Sequence, residues 1–550
     1  MIDFSKDSKT WEWLALFVLL GALLWMGPAN IWDGDIDHGY PYGYYAQDAF
    51  IFMSYQYYLE ESGNWAHLAP YLARGHHDVV QAQPSSFEIL SVLLAQTTGF
   101  SYATTTYIIV MLLVLLSVFC FYFIIKQFNP KVALLSLPLN VLLFSNVFMS
   151  AFTWGNWPFF AGSAMFILFL WCFSRIKEPW MPALAALSLA AIAFAHTSEY
   201  VFAAFVLAAV AVLLVVRSYK TLLKHFKKSE FFSEWKRIVL TGIASLVITF
   251  AYLVIFVQTF LHDYQPQYLT PESQGLSLFV SVTTPGIWLT IAVAAGALIG
   301  LLMLYKHRVL QISWVLLLIG FTNYIGTGKR GLETRYLWPV YLSVFFGLLL
   351  YVILTNVLKQ KLSTRVCAVI SIVLIALFAN QYYTEVGGPG LLSKESWQGM
   401  DWIDQHTPKD ANVLYVYGDA YSQAAVLFNV RRDADVILVD DYAAMAQGGQ
   451  LRRTVQTERV FDHTGDIAYR TGFLTLSHYK DTPDFAARGP RDLCGFDYYV
   501  FDKVSRMQGT VQYNAAIADH FQQAANFTKA YENSGVLILK NPAKGGDCLA

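Results

Sequence analysis

The sequence predicts a polytopic α-helical membrane protein with about eleven transmembrane helices, followed by a C-terminal α/β domain on the extracytoplasmic side. Three observations predict it. Of the 550 residues, 56% are hydrophobic and only 14% charged, where a soluble chain carries about a quarter charged. The long apolar runs fall within residues 1–385, and 386–550 read as an ordinary soluble sequence. Lys and Arg collect in alternate loops, which sets an orientation. The formal net charge of −1 supplies no basic face for phosphate neutralisation and excludes a nucleic-acid partner.

Runs of spanning length lie near 11–28, 103–125, 132–151, 157–174, 180–196, 199–216, 238–260, 284–305, 309–325, 336–355 and 366–384. The first has no small-residue cleavage exit, so it reads as a retained span and not as a signal peptide. Pro285-Gly286 make the eighth irregular. With the N-terminus inside, the inner segments hold eighteen Lys and Arg residues. The outer ones before the last domain hold four, Arg74, Lys329, Arg330 and Arg335. An odd number of spans then places the C-terminal domain outside. The segment 217–237 alternates basic and aromatic residues and reads as an amphipathic anchor on the cytoplasmic surface.

The first outer loop, 29–102, is long and polar. Asp33, Asp35 and Asp37 follow the first span, Asp48 heads a helix, and His67, His76, His77 and Asp78 come later. A partly buried carboxylate at a membrane surface has a raised pKa and can take a proton from an acceptor hydroxyl. The same acids also fit a solvated turn with helix-capping carboxylates. Their alternate spacing suits a divalent cation (Ca, Mg or Mn), although the Gly and distal Glu of an EF-hand loop are absent. The adjacent pair His76 and His77 would point apart on a regular element.

The order Asp48, Gly63-Asn64-Trp65, Arg74-Gly75-His76-His77 and Gln83-Pro84 resembles the GT-C glycosyltransferases, membrane enzymes that use polyprenyl-phosphate sugars. The aminoarabinose and mannose transferases of that superfamily are the members it is most similar to. Ala49 stands where those enzymes carry a second acid, which leaves the base open between Asp48 and the pair Asp35 and Asp37. Thr334-Arg335-Tyr336-Leu337-Trp338-Pro339 is similar to the Arg-Tyr-Leu-x-Pro start of a late GT-C helix. The Trp-Trp-Asp motif of the oligosaccharyltransferase branch is absent from 386–550. The chain also resembles bacterial and archaeal membrane proteins named as relatives of 6-pyruvoyl-tetrahydropterin synthase, a name that carries no chemistry here.

The resemblance implies a GT-C-like transmembrane domain over 1–385 and an extracytoplasmic α/β domain over 386–550. It implies an inverting transfer, with Asp48, or Asp35 and Asp37, as base. Arg335 would hold the lipid phosphate through bidentate hydrogen bonds, beside Lys329, Arg330 and Tyr336. His76, His77, His196 and Glu199 would add substrate contacts. The implied partners are a polyprenyl-phosphate sugar lipid, membrane lipids, and an envelope protein or glycan acceptor. A divalent cation, Mg or Mn, stays open as cofactor. Two other classes remain: a non-catalytic GT-C-fold lipid-binding or assembly component, and a transporter. The transporter ranks last, because no matched pair of broken spans indicates an inverted repeat.

In the last domain, 413–417, 436–439, 498–501 and 536–539 read as short buried strands. Segments 395–406, 420–428, 441–455 and 513–525 read as helices, giving a small layered α/β domain with no phosphate loop. Cys120, Cys172 and Cys367 lie in or near spans and pack as small apolar residues. Cys494 and Cys548 are the only pair in the outer domain, and an oxidising exterior permits a disulfide between them. A periplasm-dependent phosphatase fused after Ala550 is therefore expected to be active. Activity only of a cytoplasmic reporter at the same position would overturn the orientation.

Overall fold

The computed structural model describes residues 8–32, 34–45, 47–64, 79–81, 86–145, 152–153, 155–225, 230–263, 287–303, 307–321, 337–385, 390–416, 431–448, 451–459, 468–471, 476–478, 490–503, 508–523 and 527–549. The chain opens with α1 (Ser8–Met26), the single turn α2 (Pro28–Ile31), α3 (Gln47–Ser62), strand β1 (Val79–Gln81) and α4 (Ser86–Thr98). Next come α5 (Tyr102–Phe128) and α6 (Pro130–Ser136), which runs into a 3₁₀ helix (Leu137–Phe144). Then follow α7 (Trp157–Ser174), α8 (Met181–Ala195), α9 (Thr197–His225), α10 (Glu230–Asp263), α11 (Ile287–Leu302) and α12 (Arg308–Phe321). α13 (Trp338–Val352) and α14 (Thr364–Tyr382) complete the apolar part.

Two compact units result, and they do not follow chain order. One holds Met1–Gly34, Tyr107–Phe152 and Asn156–Val386; the other holds Asp35–Thr106, Thr153–Gly155 and Gly387–Ala550. Most of the first outer loop thus belongs to the same unit as the C-terminal domain.

In the helical unit, seven helices among the described residues are long and apolar enough to cross a membrane. Three shorter apolar helices, Pro130–Phe144, Met181–Ala195 and Trp288–Leu302, accompany them. Large apolar side chains such as Leu112, Leu116, Phe205, Phe250 and Leu298 stay exposed on their faces, which suits lipid and not water. The chain is a polytopic helical membrane protein. The basic segment expected as an anchoring loop, 217–237, is largely helical, because α9 continues to His225 and α10 starts at Glu230.

The segment expected as a span over 132–151 is a broken helix, and Pro138 is the reason. Asn129 caps its start, its Oδ1 accepting from Lys131 N at 2.9 Å and Val132 N at 3.3 Å, with Pro130 at the first helical position. Pro138 has no N–H to give the carbonyl of Leu134, so regular α geometry ends and the chain continues as 3₁₀ helix. The hydroxyl of Ser371 on α14 donates to that Leu134 carbonyl at 2.7 Å. The amide of Asn140 donates to Leu137 O at 3.1 Å. Out of water, freed carbonyls need such partners. Residues 132–144 are buried throughout, packed among α1, α13 and α14. A Cβ on Gly347 of α13 would lie 2.5 Å from the Val132 carbonyl oxygen, so only glycine lets these backbones meet.

The second unit continues with α15 (Lys394–His406), β2 (Asn412–Tyr415), β3 (Asp433–Ile437), α16 (Val439–Gly448), β4 (Thr454–Arg459), β5 (Ala468–Thr471) and β6 (Leu476–His478). It ends with β7 (Pro490–Asp492), a 3₁₀ turn (Leu493–Gly495), β8 (Tyr498–Asp502), α17 (Gln508–Gln523), β9 (Thr528–Glu532) and β10 (Val536–Lys540). Seven strands form one sheet in the order β7-β4-β3-β2-β8-β10-β9. The centre, β3-β2-β8, is parallel, and the flanks are antiparallel. The four strands expected from apolar runs are β2, β3, β8 and β10. β4, β7 and β9 are polar flanking strands without an apolar run, which is why periodicity passes over them. The helix expected over 441–455 stops at Gly448, and Thr454 and Val455 open β4 instead. The expected helix 420–428 lies outside the described residues. A smaller sheet, β1-β5-β6, pairs Val79–Gln81 of the outer loop with Ala468–Thr471.

Under the large sheet, Tyr499, Phe501, Phe521, Phe527, Leu537 and Leu539 form the core. Cys494 and Cys548 are bonded at the edge of that core, with Cα atoms 5.5 Å apart and a sequence separation of 54. Asn541 fixes the same corner, its amide donating to Cys494 O at 2.9 Å and Phe496 O at 3.2 Å. Replacing both cysteines by alanine is expected to cost roughly 3–5 kcal/mol by the loop-entropy model. Denaturant titration of the detergent-solubilised protein checks this; an unchanged midpoint would show that the bond adds nothing to stability.

Candidate functional site

The acidic loop starts in the second unit at Asp35, which is exposed. Asp37 holds the loop in place. Its Oδ1 accepts from Gly39 N at 3.0 Å, Ser101 Oγ at 2.7 Å and Thr104 Oγ1 at 3.1 Å, and its Oδ2 accepts from Ser101 N at 3.0 Å. Ser101 immediately precedes α5, so Asp37 caps that helix from a distant part of the chain. Burial raises the Asp37 carboxyl, but the hydrogen bonds from Ser101, Gly39 and Thr104 outweigh it and hold the group below the ordinary carboxylate range. Such a group is a poor proton acceptor and a good positioning residue.

Beyond Asp37, three rings gather at the loop. His38 stacks on Tyr42 at 4.1 Å, and Tyr40 meets both edge-on at 5.9 Å. Burial, then the charges of Tyr42 and Glu395, push Tyr40 up to about 12. The far end of the loop is clamped at Tyr44, whose carbonyl accepts from Leu391 N at 2.7 Å. A Cβ on Gly390 would lie 2.5 Å from that carbonyl oxygen, so the clamp requires glycine. Asp48 is the second residue of α3; its side chain lies outside the described residues.

The other end of α3 is tied into the C-terminal half of the unit. Arg431 bonds Glu61 of α3 and Asp404 of α15, and its guanidinium lies 4.7 Å over the Tyr57 ring. Tyr102 donates to Glu60. Arg432, fully buried, closes the C-terminus of α15. Its Nη2 donates to Asp404 O and Thr407 O at 2.8 Å, and its Nε donates to Pro408 O at 2.8 Å. A cation among the last carbonyls answers both their unmet hydrogen bonds and the helix dipole. Burial, then the neighbouring charge of Asp404, push Asp401 up to about 6 against the pull of Arg431.

Between α3, α4 and the start of α5 runs a buried polar seam. Gln56 Nε2 donates to Thr106 Oγ1 at 2.9 Å, and Ser91 Oγ sits 3.0 Å from Thr105 Oγ1 and 3.1 Å from Thr106 Oγ1. One turn before Ser91, Glu88 is 1% exposed. Neither of its carboxylate oxygens, nor Oε1 of Gln56, has a hydrogen-bond partner among the described residues. Burial pushes Glu88 up to about 8. Sequence reasoning missed Glu88. The signal was an acid standing on the apolar stripe Glu88, Ser91, Val92 and Ala95 of α4.

The remaining candidates divide between the helical unit and undescribed segments. His196 ends α8 with an extended backbone and meets the Phe159 ring edge-on at 5.3 Å. Glu199 is buried in the first turn of α9, against Gly162. His76, His77, Lys329, Arg330, Arg335 and Tyr336 lie outside the described residues. Among those that are described, no group of three or more His, Cys, Asp or Glu is placed to hold a metal. Of the loop acids, Asp37 already accepts four hydrogen bonds from protein donors.

The fold is of the GT-C type, shared with three solved membrane proteins. The chain matches ArnT from Cupriavidus metallidurans bound to undecaprenyl phosphate with a TM-score of 0.54 and 11% identity, over 98% of this chain and 99% of that one. It matches the apo oligosaccharyltransferase of Archaeoglobus fulgidus with a TM-score of 0.50 and 12% identity, over 79% of this chain and 65% of that one. Arabinofuranosyltransferase AftD from Mycobacteria is matched with a TM-score of 0.53 and 13% identity, over 99% of this chain but only 40% of the larger one. By sequence, residues 48–339 match the model of the family of unknown function DUF6541, and the chain belongs to that family. No curated protein matches the sequence.

The Glu88 seam generates a pH prediction. The unfolded carboxyl titrates near 4.5 and the folded one near 8. Between those values the folded state binds one more proton, so stability falls as pH rises, by about 1.4 kcal/mol per pH unit. The stabilisation is complete below the unfolded value and gone above the folded one. Glu88→Gln keeps the shape and removes the ionisation. The variant is expected to gain thermal stability over the parent as pH is raised from about 5 to about 9. A difference that does not change with pH would show that Glu88 ionises without penalty.

Proposed function

We propose that this protein transfers a sugar from a polyprenyl-phosphate carrier to an acceptor outside the cytoplasm, either a protein, a glycan or a lipid. The observation that carries the reading is the end-to-end match to a structure bound to undecaprenyl phosphate, over 98% of this chain. The acidic loop adds to it: a carboxylate-bearing segment is held at both ends, by Asp37 and by Tyr44, and leads directly into α3 with Asp48 at its head.

In this reading Asp48, or Asp35, takes the proton of the acceptor hydroxyl. The oxygen attacks the anomeric carbon from the side opposite the phosphate, and the bond from that carbon to the phosphate oxygen breaks. The configuration inverts, and polyprenyl phosphate leaves with the extra negative charge. Arg335, with Lys329, Arg330 and Tyr336, stabilises that charge as it develops. His76, His77, His196 and Glu199 orient the sugar or the acceptor. Asp37 acts through the loop: its bonds to Ser101 and Thr104 keep Asp35 and Asp48 in position. No step is routed through a divalent cation. The similarity to the synthase-related membrane proteins adds nothing to this chemistry.

The test measures transfer of radiolabelled sugar from a polyprenyl-phosphate donor in membranes containing the protein. Asp48→Asn and Arg335→Ala are each expected to lower transfer by about 100-fold or more, the scale of losing a general base or a charge-stabilising donor. Retained donor binding without transfer in the parent protein would favour the non-catalytic lipid-binding reading. Full activity of Asp48→Asn together with Asp35→Asn would remove the loop acids from the mechanism.

A further inference from the structure

We propose a binding site for a monovalent alkali cation in the buried polar seam between α3, α4 and the start of α5. Its principal ligands are the Glu88 carboxylate and the side-chain oxygen of Gln56. The site uses none of the residues assigned to sugar transfer and does not depend on that reading. All of its residues belong to one compact unit.

The hydroxyl protons of the seam have one consistent arrangement. Thr105 Oγ1 donates to the Tyr102 carbonyl at 3.1 Å, so its single proton is spent. Ser91 Oγ, 3.0 Å from Thr105 Oγ1, is therefore the donor of that pair. With the Ser91 proton spent as well, Thr106 Oγ1 donates to Ser91 across 3.1 Å. Gln56 Nε2 donates to Thr106 at 2.9 Å, which fixes the way its amide faces. The chain thus runs one way, from Gln56 through Thr106, Ser91 and Thr105 to the Tyr102 carbonyl. It consumes every hydroxyl proton and leaves none for Glu88 or for Oε1 of Gln56.

What remains is a set of oxygens without donors. Gln56, Glu88, Ser91, Thr105 and Thr106 are all buried, and Glu88 stands one turn before Ser91 on the buried stripe of α4. Both Glu88 oxygens and Gln56 Oε1 have no partner among the described residues, and each hydroxyl oxygen keeps one lone pair. An unpaired carboxylate is too costly to hold charged in such a place. A water molecule would bring two donors for three bare acceptors, and no charge. A metal ion answers both needs. An all-oxygen set selects a hard ion. One acid balances one positive charge, so the ion is monovalent; a divalent ion would leave a charge unmatched.

The experiment follows thermal unfolding of the purified full chain in detergent at pH 8, after exchange into choline chloride. Lithium, sodium or potassium chloride is then titrated in at constant ionic strength. At least one of the three is expected to give a saturable rise in melting temperature of about 2 °C or more, through binding to the folded state. Glu88→Gln keeps the shape, removes the charge and is expected to abolish the rise. Ser91→Ala keeps Glu88 but removes a ligand oxygen and frees the Thr106 proton. It is expected to move the titration midpoint to about tenfold higher salt, and it carries the test if Glu88→Gln does not fold. Four outcomes would each overturn the proposal: no alkali ion exceeding choline, the same rise in Glu88→Gln, an unmoved midpoint in Ser91→Ala, or saturation by magnesium chloride at lower concentration than by the best alkali ion. The first of these would leave a water or a proton in the seam.

Discussion

A polar group taken out of water must find a partner or lose several kcal/mol, and much of this structure follows from that constraint. In the helical unit the constraint acts on the backbone. Pro138 interrupts a helix whose neighbours are α1, α13 and α14, and the Leu134 carbonyl that loses its regular donor accepts from Leu137 N and from Ser371 Oγ. Asn140, two residues further on, serves another. With those two side chains in place, a bent, wholly buried segment can stand at the centre of a bundle where no water reaches it.

In the second unit the same constraint acts on helix ends, and charged side chains meet it. Arg432 gives three of its donors to carbonyls at the end of α15, and Asp37 accepts from the amide that precedes α5. Removing Arg432 would leave buried groups uncompensated, at a cost of roughly 3–5 kcal/mol for a buried charge partner, whereas Asp37 is exposed. Both side chains also tie distant segments together. Asp37 fixes the acidic loop, and Arg431, beside Arg432, fixes the end of α3 through Glu61. The loop that carries the candidate base is therefore ordered by the domain at the other end of the sequence.

Against this background Glu88 stands out. Ser91, Thr105, Thr106 and the amide nitrogen of Gln56 bond one another, while Gln56 Oε1 and both Glu88 oxygens are buried with no partner among the described residues. Natural proteins retain such groups where function uses them. A carboxylic acid held neutral near pH 7 can donate a hydrogen bond that an ionised one cannot. Two acids of this unit thus shift in opposite directions: hydrogen bonds hold Asp37 below the ordinary carboxylate range, and burial pushes Glu88 up to about 8.

The sequence by itself determined which segments enter lipid, which strands are buried, and which two cysteines could pair. Each of these depends on composition within a short window, or on compartment. The seven long apolar helices and the strands β2, β3, β8 and β10 were legible for that reason. Polar strands such as β9, exposed along most of its length, were not, because their place depends on a neighbour and not on their own hydrophobicity. Only the tertiary structure decided what the charged residues do. Asp37 meets Ser101 across 64 positions, Ser371 meets Leu134 across 237, and Arg431 meets Glu61 across 370. Periodicity reports the solvent an element faces. It carries no information about which distant group will supply the missing hydrogen bond, and that pairing is what holds the acidic loop in place.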